Sequence, residues 1–430
     1  MHMLLTAVVA LTALGQSAEE PEPMMRGEEK PMILAYYYTW YTTAYGKHGE
    51  WSMWMRKSPT TLYPEGTDAD VILYPPAIRR IASCAYPLIG PYDSDTREVV
   101  RWHIRLAKAA GIDGFFVDVW GQLIDVCRRS LLDVILPVAE EEGFKIAIYD
   151  EAAQFHGDID DNVAWAVDYL KQCKDSPAYL HIDGKPVYGV YQVWEGRMRP
   201  DQGRAYFSEV EEQVGDVYWI VDRVVARPGG DRPDGIDGFK VADGWADVED
   251  IDGFSQYATF STVREYRPHI LGGWFKRVVD EIHGLGKRAV IPVHPGLDSR
   301  AIQLDEVEGP DGVHWTIPRA GGRTLRAYLH AAEASGADII TITSFNEWPE
   351  TTNVEPSMTW PDPYLYLKIL ADYTGREWQA PPLPPEDVLD PAIRPHLRAL
   401  IARQAAGRAD AAASMSEAAC SQVAEGAATE

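Results

Sequence analysis

The sequence predicts an α/β protein built as a single (β/α)8 TIM barrel with long βα loops and a C-terminal helical and disordered tail. Short apolar or β-branched runs alternate with amphipathic stretches of helical period. Eight such runs lie between residues 33 and 344, a length that suits one barrel carrying insertions. A doubly wound open sheet is the alternative fold.

Each predicted strand is bounded by turn residues. The eight strands are 33–38, 115–119, 145–149, 187–190, 217–221, 239–242, 289–293 and 339–344, with 253–260 as an alternative for the sixth. Helical periodicity predicts helices at 97–110, 123–142, 163–173, 203–214, 263–285 and 323–334. This alternation implies right-handed βαβ units around a parallel sheet.

Two connections are long, and the barrel is predicted to occupy residues 31–380. The loop 40–96 is rich in Trp and Tyr and would overhang the mouth of the barrel, and 222–238 reads as a second surface loop. A closing helix is expected at 364–373. Residues 381–430 read as a Pro-rich link, a helix near 392–406 and a disordered Ala/Ser/Glu tail.

The N-terminus predicts export. Residues 1–18 resemble a signal peptide, with an apolar stretch from Met3 to Leu14 and cleavage after Gly15 or Ala18, although His2 is the one basic residue ahead of that stretch. Residues 19–30 read as a charged linker. The expected location is therefore secreted or periplasmic.

Composition excludes several classes of partner. The chain has 40 basic and 65 acidic residues, a net charge of −25, which disfavours nucleic acid and anionic membrane surfaces. The four cysteines lack CxxC spacing and predict neither a zinc site nor a disulfide framework. Signatures of dinucleotide, NTP, zinc-protease and α/β-hydrolase sites are absent from the sequence.

Carboxylates and aromatic residues recur where the predicted strands end. The positions in strand order are Tyr37, Trp40, Tyr41, Asp118, Trp120, Asp150, Glu151, Tyr191, Trp194, Asp222, Arg223, His294, Asn346, Glu347, Trp348 and Glu350. In a barrel these positions share one mouth. Acids that move protons and rings that hold sugars are the makeup of a glycosidase site.

Four motifs carry a family resemblance. They are YYYTWY at 36–41, YPLIGPYDSDTREVVRWHIRLAKAAGIDGFFVDVWG at 86–121, PVHPGLDSR at 292–300 and TSFNEWPETTNVEP at 343–356. Together they resemble glycoside hydrolase family 99, the endo-α-mannosidases, with the related WbsX-like proteins and, more distantly, family 71 α-1,3-glucanases. The resemblance runs in order from about residue 33 to 373.

The resemblance implies a retaining, endo-acting glycosidase without metal or cofactor, acting on a neutral α-linked oligo- or polysaccharide, most readily an α-mannoside. It implies that Glu347 is the base that deprotonates the substrate 2-hydroxyl, and that Glu350 is the acid, then the base. The residues expected to bind substrate are Tyr37, Trp40, Tyr41, Tyr92, Asp118, Trp120, Glu151, Tyr191, Trp194, His294, Asn346 and Trp348.

The motif also departs from the endo-mannosidase pattern E-W-H-E-G-T. Pro349 and Thr351 replace its His and Gly, and Glu151 is followed by alanines where an aromatic residue is expected. Pro349 turns the chain after Glu347, but a three-residue spacing admits both retention and inversion. A non-catalytic glycan-binding protein and a WbsX-like glycan-assembly protein are the alternative functions.

Overall fold

The computed structural model describes residues 30–60, 62–73, 78–120, 125–151, 159–191, 198–222, 224–228, 236–241, 244–257, 268–302, 316–395 and 397–399. The predicted signal peptide and nearly all of the linker lie outside these ranges. So do the predicted tail and part of the helix predicted near 392–406.

Eight parallel strands close into a barrel, which confirms the predicted fold class. The strands are β1 (Met32–Tyr37), β2 (Gly114–Val119), β3 (Lys145–Asp150), β4 (Lys185–Val190), β5 (Tyr218–Asp222), β6 (Ile251–Ser255), β7 (Arg288–Val293) and β8 (Ile339–Ile342). Each strand pairs with its sequence neighbours, and β1 pairs with β8 to complete the ring. Because both faces are covered, strands such as β2 are buried at every position.

Helices pack outside most strands. They are α1 (Arg97–Ala110), α2 (Asp125–Arg129, continuing through the π turn Ser130–Ile135 into Leu136–Glu142), α3 (Ile159–Cys173), α4 (Pro200–Val214), α5 (Pro268–Gly284), α6 (Arg323–Ser335) and α7 (Leu365–Thr374). Helix α1 is followed by the capping residue Gly111, whose φ of 77° is the left-handed conformation that favours glycine. Within the described residues the predicted helix boundaries agree with these to within a few residues, and the predicted helical residues 123–124 and 263–267 lie outside the described part of the chain.

The prediction for the sixth strand is wrong. Residues 239–241 belong instead to a hairpin in which Val224–Pro228 pairs antiparallel with Ile236–Val241, and residue 242 lies outside the described residues. Ile251–Ser255 fills the barrel position between β5 and β7. The sequence misleads because Asp252 and Gly253 interrupt the apolar pattern of this strand. Asp252 accepts a hydrogen bond from the Trp219 backbone N–H at 3.0 Å, so its polar side chain stabilises the strand pair.

Short elements complete the loops. The hairpin Asp68–Leu73 with Ile78–Arg80 lies in the first βα loop, Leu297–Asp298 pairs with Thr316–Ile317 in the seventh, and His181–Ile182 adds an antiparallel pair to β4. Ala320–Gly322 and Glu386–Val388 are 3-10 turns. Among the described residues, no helix is both long and apolar enough to cross a membrane.

The start of the predicted C-terminal link packs against the first βα loop. The carboxylate of Asp390 is fully buried and accepts hydrogen bonds from Arg79 Nε at 3.0 Å and from the Tyr86 hydroxyl at 3.2 Å. Leu389, Ile393 and Leu397 are buried beside it. The described part of this segment is therefore docked on the barrel and orders the long loop above the mouth.

Candidate active site

The end of β1 shows which side chains reach the mouth of the barrel. Side chains alternate between the two faces of a strand. Tyr36 points inward, where its ring lies 4.6 Å from that of Tyr149. Tyr37 points outward, behind the sheet, where its hydroxyl is 2.9 Å from His103 Nδ1 of α1. Tyr37, which is predicted to contact substrate, therefore faces α1, and Tyr38 is the next inward-facing residue.

The loop after β8 is a compact turn that displays the two predicted catalytic glutamates. The backbone N–H of Glu347 donates to Ser344 Oγ at 2.7 Å, and Thr352 N–H donates to the Glu347 carbonyl at 3.2 Å. The Glu350 carbonyl accepts from Asp298 N–H at 2.9 Å, which ties the turn to the loop after β7. The backbone of the turn is thus held from two sides.

Both glutamate side chains are short of partners. Glu347 is 4% exposed, and Oε2 of each glutamate is buried with no hydrogen-bond partner among the described residues. Burial raises the pKa of Glu350 to about 7. Burial, and then the charge of Glu350, raise the pKa of Glu347 well above its usual value. Two neighbouring buried carboxyls cannot both ionise readily, so the pair retains a proton near neutral pH.

Two further acids face this pair. Asp118, at the end of β2, is 1% exposed, and its carboxyl lies beside that of Glu151. Burial and then the adjacent Glu151 raise the pKa of Asp118 well above its usual value, and Glu347 contributes as well. The pKa of Glu151 is raised to about 7 by burial and by Glu350. The four carboxyls therefore interact within one cavity.

Tyrosines line the same cavity. The Tyr38 hydroxyl donates to the Tyr257 hydroxyl at 2.6 Å, and burial together with Tyr257, Asp118, Glu347 and Glu151 raises the pKa of Tyr38 well above its usual value. The ring of Tyr191 lies 5.4 Å from that of Tyr257. Aromatic faces beside acids can stack on a sugar ring and hydrogen-bond its hydroxyls.

Of the other predicted binding residues, Trp40 and Trp120 lie at the rim. Their ring centroids are 5.9 Å apart, and Trp40 also packs on Tyr38 at 4.6 Å. Trp120 is half-buried. Trp194 lies outside the described residues, as does Arg223.

A second group of predicted binding residues lies beneath the glutamates. Tyr41, Tyr92, Asn346 and Trp348 are at most 2% exposed. The Tyr41 hydroxyl donates to the Asn346 carbonyl at 2.9 Å, and the Trp348 indole N–H donates to Glu355 at 2.8 Å. These side chains hold the loop, and Trp348 packs within the protein rather than presenting a sugar platform.

His294, which is also predicted to bind substrate, lies within the protein core. Its ring is fully buried and lies 4.1 Å from the ring of Tyr328 on α6. Burial and the nearby Arg319 guanidinium lower the pKa of His294 to about 3, so it is neutral. As with Tyr37, the residue directs its side chain toward a helix instead of the mouth.

Three residues were missed by sequence reasoning. Tyr38 and Tyr257 line the cavity, and Glu355 lies under it. Alternation along β1 could have identified Tyr38. Tyr257 follows β6, the strand whose position was mispredicted, so its place at the mouth could not be read.

One side-chain group among the described residues has the spacing of a metal site. His48, Asp93 and Asp95 bring ligand atoms within 4.8 Å of one another. Asp95 already pairs with His48 Nε2 and Lys47 Nζ at 2.9 Å each, and Asp93 accepts from Thr43 N–H at 2.6 Å. Internal partners thus occupy these oxygens, and the carboxyls of the mouth do not form such a group.

Known proteins similar to this chain are glycoside hydrolases and their relatives. The model of Glycosyl hydrolase family 99 matches residues 29–209. A human "Glycoprotein endo-alpha-1,2-mannosidase-like protein" is 26% identical over 375 residues, covering 81% of this chain and 74% of the human one. The mouse protein of the same name is 25% identical over 383 residues, covering 83% and 76%.

Solved structures agree at the level of fold. The GH99 endo-alpha-mannosidase from Bacteroides thetaiotaomicron superposes with a TM-score of 0.59 at 22% identity, covering 81% of this chain and 97% of that one. The family model and the named relatives, together with this fold, support a glycoside hydrolase. More particularly, the chain is similar to glycoside hydrolase family 99.

Proposed function

We propose that the protein is a retaining, endo-acting glycosidase that cleaves a neutral α-linked glycan, an α-mannoside above others, with Glu347 and Glu350 as the catalytic pair. The observation that carries the proposal is the burial of both carboxyls at the barrel mouth, each with one oxygen unpartnered among the described residues. Buried polar groups are normally satisfied, so such atoms are reserved for a ligand or for chemistry.

The first chemical step divides the two roles. With the shared proton on Glu350, the Glu347 carboxylate removes the proton of the substrate 2-hydroxyl. The 2-oxygen then attacks C1 while the C1–O bond to the leaving sugar breaks, and Glu350 gives its proton to the leaving oxygen. The product of this step is a 1,2-anhydro sugar with C1 inverted.

The second step restores both acids. The Glu350 carboxylate takes a proton from water, whose oxygen attacks C1. The bond from C1 to the 2-oxygen breaks, and the 2-oxygen recovers its proton from Glu347. Two inversions at C1 give net retention, and the raised pKa of Glu350 suits a group that must serve as acid and then as base.

The identity of the substrate rests on the relatives. The human and mouse relatives are named for endo-alpha-1,2-mannosidase, which favours an α-mannoside here. The predicted signal peptide at residues 1–18 supports an exported enzyme acting on glycan outside the cytoplasm.

The test is hydrolysis of α-mannan and α-glucan oligosaccharides by the wild type, Glu347→Gln, Glu350→Gln and the surface control Glu209→Gln on α4. General acid–base groups contribute about 10²- to 10⁴-fold, so each of the first two variants should lose that much activity while the control keeps it. Binding of the glycan by all proteins, with no product from the wild type, would instead favour the non-catalytic glycan-binding function.

A further inference from the structure

A third glutamate lies in the same loop, on the side that faces the core. Glu355 is fully buried. Its Oε2 accepts hydrogen bonds from the Tyr92 hydroxyl at 2.7 Å and from the Trp348 indole N–H at 2.8 Å. Its Oε1 lies 3.2 Å from His103 Nε2. The catalytic steps above leave this glutamate unused.

We propose that Glu355, held by His103, is a positioning residue that sets the geometry of the catalytic pair through Trp348. The inference rests on the proposed function of Glu347 and Glu350. Trp348 lies between these two residues in the sequence. Fixing its ring therefore fixes the orientation of the peptide units that carry them.

The backbone of the loop makes the link direct. Glu355 N–H donates to the Phe345 carbonyl at 2.8 Å, so the residue bridges the two ends of the turn. Trp348 N–H donates to the Tyr41 hydroxyl at 3.1 Å. The Trp348 side chain is thus the part of the turn that reaches down to Glu355, while the backbone is held by the barrel.

His103 gives Glu355 a fixed anchor. The Tyr37 hydroxyl lies 2.9 Å from His103 Nδ1, and Nε2 of the same ring lies 3.2 Å from Glu355 Oε1. Each polar side-chain atom in this network of Tyr37, His103 and Glu355 then has a partner.

The first test compares two tryptophan variants. Trp348→Phe removes the N–H that donates to Glu355. Trp219→Phe is the matched control, since Trp219 is equally buried and its indole N–H also donates to a glutamate, Glu211 Oε1, at 3.1 Å, away from this loop. Displacement of a catalytic group by about 1 Å can cost about 10²-fold in rate. We expect Trp348→Phe to lower kcat roughly 10- to 100-fold with KM changed less than about 2-fold.

The second test changes the glutamate and keeps the inference falsifiable if Trp348→Phe does not fold. Glu355→Gln keeps the shape of the side chain and an oxygen that can accept from Trp348 and Tyr92, and its amide group still faces His103. Glu355→Leu leaves the Trp348 N–H and the Tyr92 hydroxyl unpaired. At a temperature well below both melting points, kcat should fall much further in Glu355→Leu than in Glu355→Gln, and KM should stay similar.

The outcomes separate this inference from the proposed function. If Glu347→Gln and Glu350→Gln are inactive while Trp348→Phe and Glu355→Leu keep the kcat of the wild type and lose only thermal stability, the positioning role is overturned and the catalytic pair stands. If Trp219→Phe lowers kcat as much as Trp348→Phe, the effect is general packing and the inference also fails. Activity retained by Glu347→Gln and Glu350→Gln would overturn both.

Discussion

Glu347 and Glu355 belong to one loop and are both buried, yet their surroundings are opposite. Glu355 Oε2 accepts two hydrogen bonds and Oε1 faces His103. Glu347 Oε2 has no partner among the described residues, and the neighbouring carboxyl of Glu350 raises its pKa further beyond the effect of burial. The face of the loop that carries Glu355 has its hydrogen bonds satisfied, and we call it the satisfied face. The face that carries Glu347 and Glu350 has unpartnered carboxyl oxygens, and we call it the unsatisfied face.

The difference separates structure from function within a few residues. A buried carboxylate with donors on both oxygens contributes to the order of the fold. A buried carboxyl without donors costs stability, and it persists where a ligand or a reacting group will complete it. The satisfied face supplies the rigidity that holds the unsatisfied face in place.

The largest effect should appear in the pH dependence of the activity, which reports on the unsatisfied face. Since the pKa of Glu350 is about 7, it loses the proton that it must donate as the pH rises above that value. kcat/KM should then fall, approaching about 10-fold per pH unit on the alkaline side. Rates of oligosaccharide hydrolysis from pH 5 to 9 check this, and activity that keeps rising to pH 9 would remove Glu350 from the role of acid.

A smaller effect concerns the tyrosines of the cavity. Tyr38→Phe and Tyr257→Phe each remove the hydrogen bond between the two hydroxyls, and we expect each to lower kcat/KM about 10-fold, since one hydrogen bond is worth about 1 kcal/mol or somewhat more. The double variant should be little worse than either single variant if that shared bond is what matters.

Tyr179→Phe is the control for those variants. The Tyr179 hydroxyl donates to the carbonyl of Val187 on β4 at 2.8 Å. This residue lies apart from the carboxyls of the barrel mouth. This variant should lose about 1 kcal/mol of unfolding free energy and keep its activity. Equal losses of activity in all three variants would mean that the cavity tyrosines matter only for folding.

The smallest effect tests the backbone just after Glu350. Thr351 has a φ of 53°, in the left-handed region that is costly for a β-branched residue. Thr351→Gly and Thr351→Ala both lose the hydroxyl, but glycine alone is free of the steric cost. Denaturation should show the glycine variant more stable than the alanine variant by about 1 kcal/mol. Equal stability would mean that the backbone relaxes out of this conformation.

Sequence reasoning recovered the barrel because parallel strands buried on both faces leave long apolar runs, and seven of the eight strands have them. It missed the sixth strand because Asp252 bonds the neighbouring strand and Gly253 allows the backbone of Arg288 to approach closely. A search for apolar periodicity does not detect either role. Residues 253–260, weighed as the alternative, overlap the observed Ile251–Ser255.

For the site, strand ends identified which residues come near the mouth but not which way they point. Tyr37 is the last residue of β1 and His294 follows β7, and both face helices, whereas Tyr38 faces the acids. The direction of a side chain just past a strand depends on the turn that follows, and that turn is set by tertiary hydrogen bonds. The distinction between Glu347 and Glu355 likewise depends on donors brought from distant parts of the chain, such as His103 and Tyr92.

The comparison between the two glutamates is tested most directly by the unfolding free energies of Glu347→Gln and Glu355→Gln at pH 8. The folded-state pKa of Glu347 lies above its usual 4.5, so its contribution to stability is lost as the pH rises from about 4.5 through the folded-state pKa.

Replacing Glu347 with neutral glutamine should therefore stabilise the protein at pH 8, by roughly 1 to 3 kcal/mol, and have little effect at pH 4.5. Glu355→Gln gives up hydrogen bonds strengthened by charge and should destabilise by about 1 to 2 kcal/mol. Opposite signs at pH 8 are the predicted result. Destabilisation of both variants to a similar extent would contradict the division of the loop into a satisfied face and a catalytic one.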